Sequence, residues 1–485
     1  MKPNIYRTFL VLLFSVLSFF LKAQNTDVFN CFSIAVGKGA SVDGSVLLAH
    51  NEDDGGERIV NWYKVPHKKY APSADSIQLK NGYKIAQAKE TYAYLWLELP
   101  ELEFSDSYMN EFGLTITSDA CKSREDKPEL VQGGIGFWLR RLMIERSVSA
   151  KEAVRFAGRL IEKIGYNSSG RTYLISDPYE TWLLAVVNGK HWVAQRVPDG
   201  EVAIIPNYYT ITKVNLNDRL NFLASPDLIE YAIGRGWYNP ETDGEFNFRK
   251  AYSDQANLNN IVNKARHWIS INMLSKKQYT IDDEMPFSFV PKEKIGLEKL
   301  FKVLRNHYEG TDFDLTKSYK VGNPHHQKTM SICSDANQYG FVAQLRDWMS
   351  IEIGAVMWFA PIRPCVEPFV PVYNGMNVIP NNFASTNDEE GLRKHFDGIG
   401  DFDNFPFHNH ISFYKKAKLI NIDYGKFIVD QRKYIDKFEK SLLKDQEKFE
   451  KKMQDLLIEK PEDAIKKITE YSTKNLEFIV EKANK

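Results

Sequence analysis

Apolar residues run from Cys31 to Val36 and stop at Gly37, and after a Gly/Ser/Asp stretch a second run, 45–49, begins. Two short apolar runs separated by turn residues predict a β-hairpin. Its turn carries the end of the second run, His50-Asn51-Glu52-Asp53, back to the start of the first, so polar groups arrive beside Cys31. The plainer alternative is that 51–53 open a solvated loop into Gly55-Gly56. Further strands are expected at 92–97 and 113–119. The period then changes: 135–146 and 150–164 space apolar residues helically, and Ser149, three residues before Glu152, offers an N-cap. Strands return at 172–176, 181–187 and 191–197, punctuated by Asp177-Pro178 and Asn188-Gly189, as in an antiparallel meander.

Helical segments dominate about 217–315, notably 226–233 and 258–273. Strand-like runs resume at 329–333, 339–344 and 354–359, before Pro361, Pro364, Pro368 and Pro371 mark an irregular crossing. Ile428, Ile435, Leu442, Phe449 and Leu456 then recur every seven residues until Pro461 ends the helix and a second begins. That pattern predicts a C-terminal helical hairpin packing one face on its own core, with a coiled-coil homo-oligomer as the alternative. Strands in two batches separated by paired helices fit an α+β arrangement, two sheets packed together under helices.

Composition narrows the function classes. The chain has 485 residues, 43% of them hydrophobic, enough for a large core. Lys plus Arg and Asp plus Glu both number 63, and no basic stripe with interleaved aromatics is present, so nucleic acid is not an expected partner. Residues 1–23 join a basic start (Lys2, Arg7) to an apolar run from Phe9 to Leu21, then small Ala23. This reads as a cleavable export signal, with a retained anchor as the alternative. A periplasmic or secreted product, with no membrane attachment after signal removal, is the expectation. Lipidation of Cys31 is a further alternative, set against by its bulky neighbours Phe29 and Asn30.

The four cysteines, Cys31, Cys121, Cys333 and Cys365, form no CxxC pair, which leaves room for one disulfide but suggests no zinc site. His325-His326 and His408-Asn409-His410 lack neighbouring carboxylates and thiolates at ligand spacing, so neither metal nor other cofactor is expected. His191 reads as a packed core histidine. Cys31 carries the candidate chemistry. If it became the N-terminus of the mature chain, its α-amino group (pKa about 7.7–8.0) would stand beside its own thiol (about 8.5) as a ready base.

Cys31 with Val36-Gly37-Lys38-Gly39-Ala40-Ser41 and Asp43-Gly44-Ser45 is followed by Asn51-Glu52-Asp53 and Asn110-Glu111-Phe112-Gly113-Leu114. Next come Lys190-His191-Trp192-Val193-Ala194, Arg196-Val197-Pro198-Asp199-Gly200, Gln344-Leu345-Arg346, Trp358-Phe359-Ala360 and Val370-Pro371-Val372-Tyr373. In this order the stretches resemble the secernin and dipeptidase A family of cysteine peptidases. These are N-terminal-nucleophile hydrolases related to bile salt hydrolases and penicillin V acylases. The resemblance implies a four-layer αββα fold, self-removal of a propeptide (24–30), and hydrolysis of amide bonds in a small peptide or amide substrate. The domains expected are a catalytic one over 31–415, with a helical insertion at about 217–315, and a helical extension over 416–485.

By the same resemblance Cys31 is the nucleophile, Asp53 orients its α-amino group, and Asn207 donates to the oxyanion. Asn207 could instead be a loop residue bonding its own backbone. His50 and Asn51 are the substrate-binding candidates. Where relatives carry Arg before Asn-Glu-Asp this chain has His50, largely neutral near pH 7 and without arginine's bidentate fork. Either another cation such as Arg346 assists, or substrate preference has changed; an ion pair with Asp347 or another acid is the alternative for Arg346. An N-acyl amide hydrolase and a non-catalytic surface protein of the same fold are the rival readings to a dipeptidase.

Overall fold

The hairpin forms as the apolar runs dictate. In the computed structural model, which describes residues 31–54, 56–327, 329–397 and 400–485, β1 (Phe32–Val36) pairs antiparallel with β2 (Val46–Asp53), Val36 opposite Leu47 and Phe32 opposite Asn51. Gly37 ends β1 where the chain presses on the loop after Arg196. A Cβ there would lie 2.5 Å from the carbonyl oxygens of Pro198 and Asp199, so no larger residue fits without displacing backbone.

The hairpin sits in a seven-stranded antiparallel sheet ordered Ser288–Phe289, Val202–Ile205, β1, β2, Asn337–Leu345, Ala355–Pro361, Val370–Tyr373. A second sheet, of eight antiparallel strands, is ordered Phe222–Ala224, Trp192–Arg196, Thr181–Val186, Arg171–Ser176, Thr115–Ala120, Ser107–Asn110, Tyr94–Glu98, Asn61–Val65. The sheets face each other where β1 and β2 meet Thr115–Ala120 and Arg171–Ser176. Both strands of the hairpin are buried along their whole length, as the inner position requires.

Helices Trp138–Arg146 and Ala150–Ile164 cover the outer face of the eight-stranded sheet. The Ser149 cap forms as expected, its hydroxyl accepting from the backbone N–H of Glu152. Helices Ile261–Leu274 and Leu297–Leu304, and the C-terminal pair, cover the other sheet. The four layers αββα are therefore present.

Two expectations are refined. The segment 217–315 holds five helices between Leu228 and Leu304 but is mostly loop and turn, and it gives each sheet an edge strand, Phe222–Ala224 and Ser288–Phe289, so it is woven into the core. No strand forms at 329–333 among the described residues: Ile332 gives its carbonyl to the Asn51 side chain, and the Cys333 N–H donates to the Asn306 carbonyl.

At the C-terminus, Asn409–Ile422 leads into Tyr424–Glu459 and Pro461–Ala483, so position 416 falls within a helix. Ile428, Ile435 and Leu442 are buried, while Phe449 stacks on Tyr471 at 4.0 Å. Each such buried aliphatic side chain contributes about 1.5–3 kcal/mol. None of the described helices is long and apolar enough to cross a membrane. The expected signal (1–23) and propeptide (24–30) lie outside the described residues.

Candidate active site

Extending the hairpin register by one pair sets Cys31 against Glu52. Cross-strand partners share a face, and the Cys31 thiol donates to Glu52 Oε1 at 2.7 Å. The next same-face pair, Ser33 and His50, joins the chain: His50 Nε2 lies 3.0 Å from Glu52 Oε2, and Ser33 Oγ lies 2.7 Å from His50 Nδ1. Ser33 in turn donates to Asp119 Oδ2 at 2.6 Å, across to the second sheet. With the serine proton committed to Asp119, His50 must donate from Nδ1 and accept at Nε2. A protonated Glu52 completes that order.

Burial sets the charges. It lifts Glu52 to about 7, against the thiol hydrogen bond and the guanidinium groups of Arg140 and Arg171. It lowers His50 to about 4, which leaves the imidazole neutral near pH 7, and raises Asp119 to about 6. Burial, followed by the charges of Glu52, Asp54, Asp119 and Asp53, pushes the Cys31 thiol well above its ordinary value.

Cys31, Glu52 and Asp54 line a cavity of about 240 Å³ with Glu101, Leu102, Glu103, Phe104, Ser105 and Arg171. The Arg171 guanidinium lies over the Phe104 ring, 4.5 Å from its centroid. Alternation along β2 makes His50, Glu52 and Asp54 one face and Asn51 and Asp53 the other. Asp54 accepts from Ser105 Oγ at 2.8 Å.

The expected site residues divide accordingly. Asp53 accepts from Asn337 Nδ2 and faces Arg266 Nη1 at 3.8 Å, both carboxylate and guanidinium fully buried. Burial raises its pKa, with Arg266 the main opposing influence. Asn207 lies two residues beyond Ile205, which pairs with Ser33, so it stands level with Cys31 on the strand edge opposite Glu52. It is buried and left-handed (φ 74°), an uncommon conformation outside glycine. Its Oδ1 accepts from Arg266 Nη2, while its Nδ2 is buried with no hydrogen-bond partner among the described residues. Asp53 and Asn207 thus meet through Arg266, which sequence reasoning missed: it lies in a helix far along the chain, with no motif around it.

His50 and Asn51, expected to bind substrate, are placed otherwise. Both are fully buried and neither lines the cavity beside Cys31. His50 bonds Glu52 and Ser33, and Asn51 Nδ2 donates to the carbonyls of Leu304 (2.9 Å) and Ile332 (3.0 Å). Arg346 is not at the site either. It forms a buried bidentate pair with Glu450, at 2.6 and 2.7 Å. Burying both charged groups inside the C-terminal packing is the reason for its position. His191 is the expected packed histidine, stacked on Tyr231 at 3.7 Å.

Among Cys31, His50 and Glu52, a thiol, an imidazole nitrogen and a carboxylate oxygen all lie within 4.8 Å of one another, a set able to hold a metal ion. As they stand, the three bond one another directly. All four cysteines are free thiols and buried.

Comparison with known proteins places these residues in a lineage. The model of Peptidase family C69 matches residues 30–396. A probable dipeptidase of Latilactobacillus sakei is 27% identical over 369 residues, covering 72% of this chain and 74% of that protein. Dipeptidase A of Lactobacillus helveticus is 26% identical over 377 residues, covering 73% and 77%. Among solved structures, penicillin V acylase from Agrobacterium tumefaciens matches at 14% identity and TM-score 0.35, over 74% of this chain and 89% of that one. With the family model spanning both sheets and the Cys31 cluster, the chain belongs to Peptidase family C69 and is a hydrolase of peptide bonds.

Proposed function

We propose that this hydrolase is an exported dipeptidase that uses Cys31, freed as the N-terminus by removal of the preceding residues, as its nucleophile. The observation that carries the reading is the crowding of Glu52, Asp53, Asp54 and Asp119 around a thiol at the mouth of the first strand. An α-ammonium released at Cys31 would favour ionisation of those buried carboxyls and be stabilised by them in turn. By its charge it would draw the thiol back down toward a reactive value.

Hydrolysis then takes two steps. The amine accepts the thiol proton as sulfur attacks the carbonyl carbon, Asn207 Nδ2 and a backbone N–H donate to the oxyanion, and the ammonium protonates the departing amine. Water, deprotonated by the same amine, then cleaves the thioester and releases the acid. Arg266 holds the Asn207 oxygen, which turns the amide donor outward from that contact. The Glu52–His50–Ser33–Asp119 chain fixes the thiol and offers a second route for its proton.

A cavity of about 240 Å³ suits a substrate of two residues rather than a long peptide. Its Glu101 and Glu103 favour a substrate with a free ammonium, and Arg171 supplies a countercharge for a carboxylate. The relatives named dipeptidases support the same substrate class. Paired assays of a dipeptide and its N-acetyl derivative test the reading. The free-amine substrate should be turned over at least about tenfold faster, the order expected when one buried charge pair is lost. Preference for the acylated compound would favour the N-acyl amide hydrolase instead.

A further inference from the structure

Away from that cavity, four ligand-type side chains from separate segments converge on one point. His307 follows the helix Leu297–Leu304, His325 lies in the 3-10 turn Pro324–His326, Cys333 precedes the strand Asn337–Leu345, and Cys365 follows the strand Ala355–Pro361. Their ligating atoms all lie within 4.8 Å of one another. The two Nε2 atoms are 3.2 Å apart, and Cys365 Sγ is 3.4 Å from His325 Nε2. His307, Cys333 and Cys365 are buried. None of the four lines the cavity beside Cys31.

Both rings are held from behind. His307 Nδ1 faces Glu309 Oε1 at 3.2 Å and the Tyr319 hydroxyl at 3.2 Å. His325 Nδ1 faces Asn421 Oδ1 at 2.9 Å, and the Asn421 amide is fixed in that sense because its Nδ2 donates to Asp335 Oδ1 at 2.8 Å. With each Nδ1 bonded outward, each ring turns its Nε2 inward to the two sulfurs. Two ring nitrogens at 3.2 Å, beside two sulfurs, call for a cation between them, either a shared proton or a metal ion, and the four inward-facing ligand atoms suit the metal. Outward Nδ1–H bonds of this kind are the usual support of metal-bound histidine.

We propose that His307, His325, Cys333 and Cys365 form a closed Cys₂His₂ site for one structural zinc ion. Zinc–sulfur bonds of about 2.3 Å and zinc–nitrogen bonds of about 2.0–2.1 Å in a tetrahedron set edges of about 3.3 Å between nitrogens and about 3.5 Å from nitrogen to sulfur. The observed 3.2 and 3.4 Å match these. Binding releases the two thiol protons to solvent and leaves no open coordination position, so the ion is a staple and takes no part in hydrolysis. It would pin a segment poor in regular structure, with left-handed Lys317, Ser318 and Tyr319, at both ends. Its ligands lie close in sequence to the Leu304 and Ile332 carbonyls that hold Asn51 and to Asn337, which holds Asp53. Sequence spacing hid the site because the four ligands come from four separate segments.

The test uses the full chain carrying Cys31→Ala, so that the active-site thiol cannot contribute. Elemental analysis after purification with zinc should give about one zinc per chain. Exchange for cobalt should give the charge-transfer band of thiolate bound to tetrahedral cobalt. Cys365→Ser should lose that band and lower the thermal midpoint. If Cys365→Ser does not fold, the cobalt spectrum of the parent chain decides alone. A folded parent chain that holds no zinc and gives no cobalt–thiolate band overturns the proposal, as does recovery of Cys333 and Cys365 joined in a disulfide.

Discussion

In the proposed function Cys31 is the nucleophile, and its substitutions separate that role from a structural one. Cys31→Ala should abolish turnover, and Cys31→Ser should lower kcat by at least about a thousandfold, since an α-amine is a weak base for an alcohol. Steady-state kinetics with matched circular dichroism checks both. Asn207→Ala removes the proposed oxyanion donor and should lower kcat about 10²–10³-fold with little change in KM. A rise in KM alone would make Asn207 a binding residue. Asp53→Asn should also act on kcat, because Asp53 and Asn207 share Arg266.

Glu52 gives a pH test. Its carboxyl is raised from 4.5 to about 7 in the folded chain, so the folded state holds a proton there that the unfolded state has lost. The stability associated with that proton is present below pH about 4.5 and is lost as pH rises through about 7. His50, lowered from 6.5 to about 4, acts oppositely, costing stability as pH falls through that range. In a Cys31→Ala background, Glu52→Gln should therefore gain on its parent between pH 5 and 8, by up to roughly 3 kcal/mol at 1.36 kcal/mol per unit. Denaturant unfolding at the two pH values measures it, and parallel curves would place Glu52 outside the buried network.

At the scale of elements, the long helix Tyr424–Glu459 is anchored by two buried ion pairs, Glu439 with Arg305 and Glu450 with Arg346. Tyr373 and Gln446 also donate to Glu450, at 3.0 and 2.8 Å. Removing one partner strands a buried charge, so Glu450→Ala should cost about 3–5 kcal/mol in urea unfolding while kcat per folded molecule stays unchanged. A fall in kcat at unchanged stability would instead return Arg346 to the catalytic machinery.

The hairpin that carries the site was legible in the sequence, because two apolar runs and a Gly-rich turn leave few registers. Pairing Val36 with Leu47 and counting back to Cys31 reaches Glu52, so even that contact lay within reach of the alternation rule. The same rule puts Asp54, and not Asp53, on the cavity face. Arg266, Asp119 and Arg171 were not legible, since each arrives from a separate element through sheet stacking or helix packing. The run 329–333 misled because its apolar residues serve a crossing whose backbone bonds Asn51 and Asn306 rather than a strand.

For the whole molecule, two stacked sheets bring the start of β1 against the second sheet, and that juxtaposition assembles Cys31, Glu52, Asp119 and Arg171. The C-terminal helices support the seven-stranded sheet from outside, and the 305–336 segment closes over the end of β2. Among the described residues neither layer supplies a group bonded to the thiol, so in the proposed mechanism activation of the nucleophile rests on the amine released at Cys31. The most direct measurement is intact-mass and N-terminal sequencing of active enzyme from its native compartment, with the thiol titrated by alkylation in the same sample. The expected result is a chain that begins at Cys31 and loses activity in proportion to modification of that one thiol. Fully active protein with the Asn30–Cys31 bond intact would contradict it.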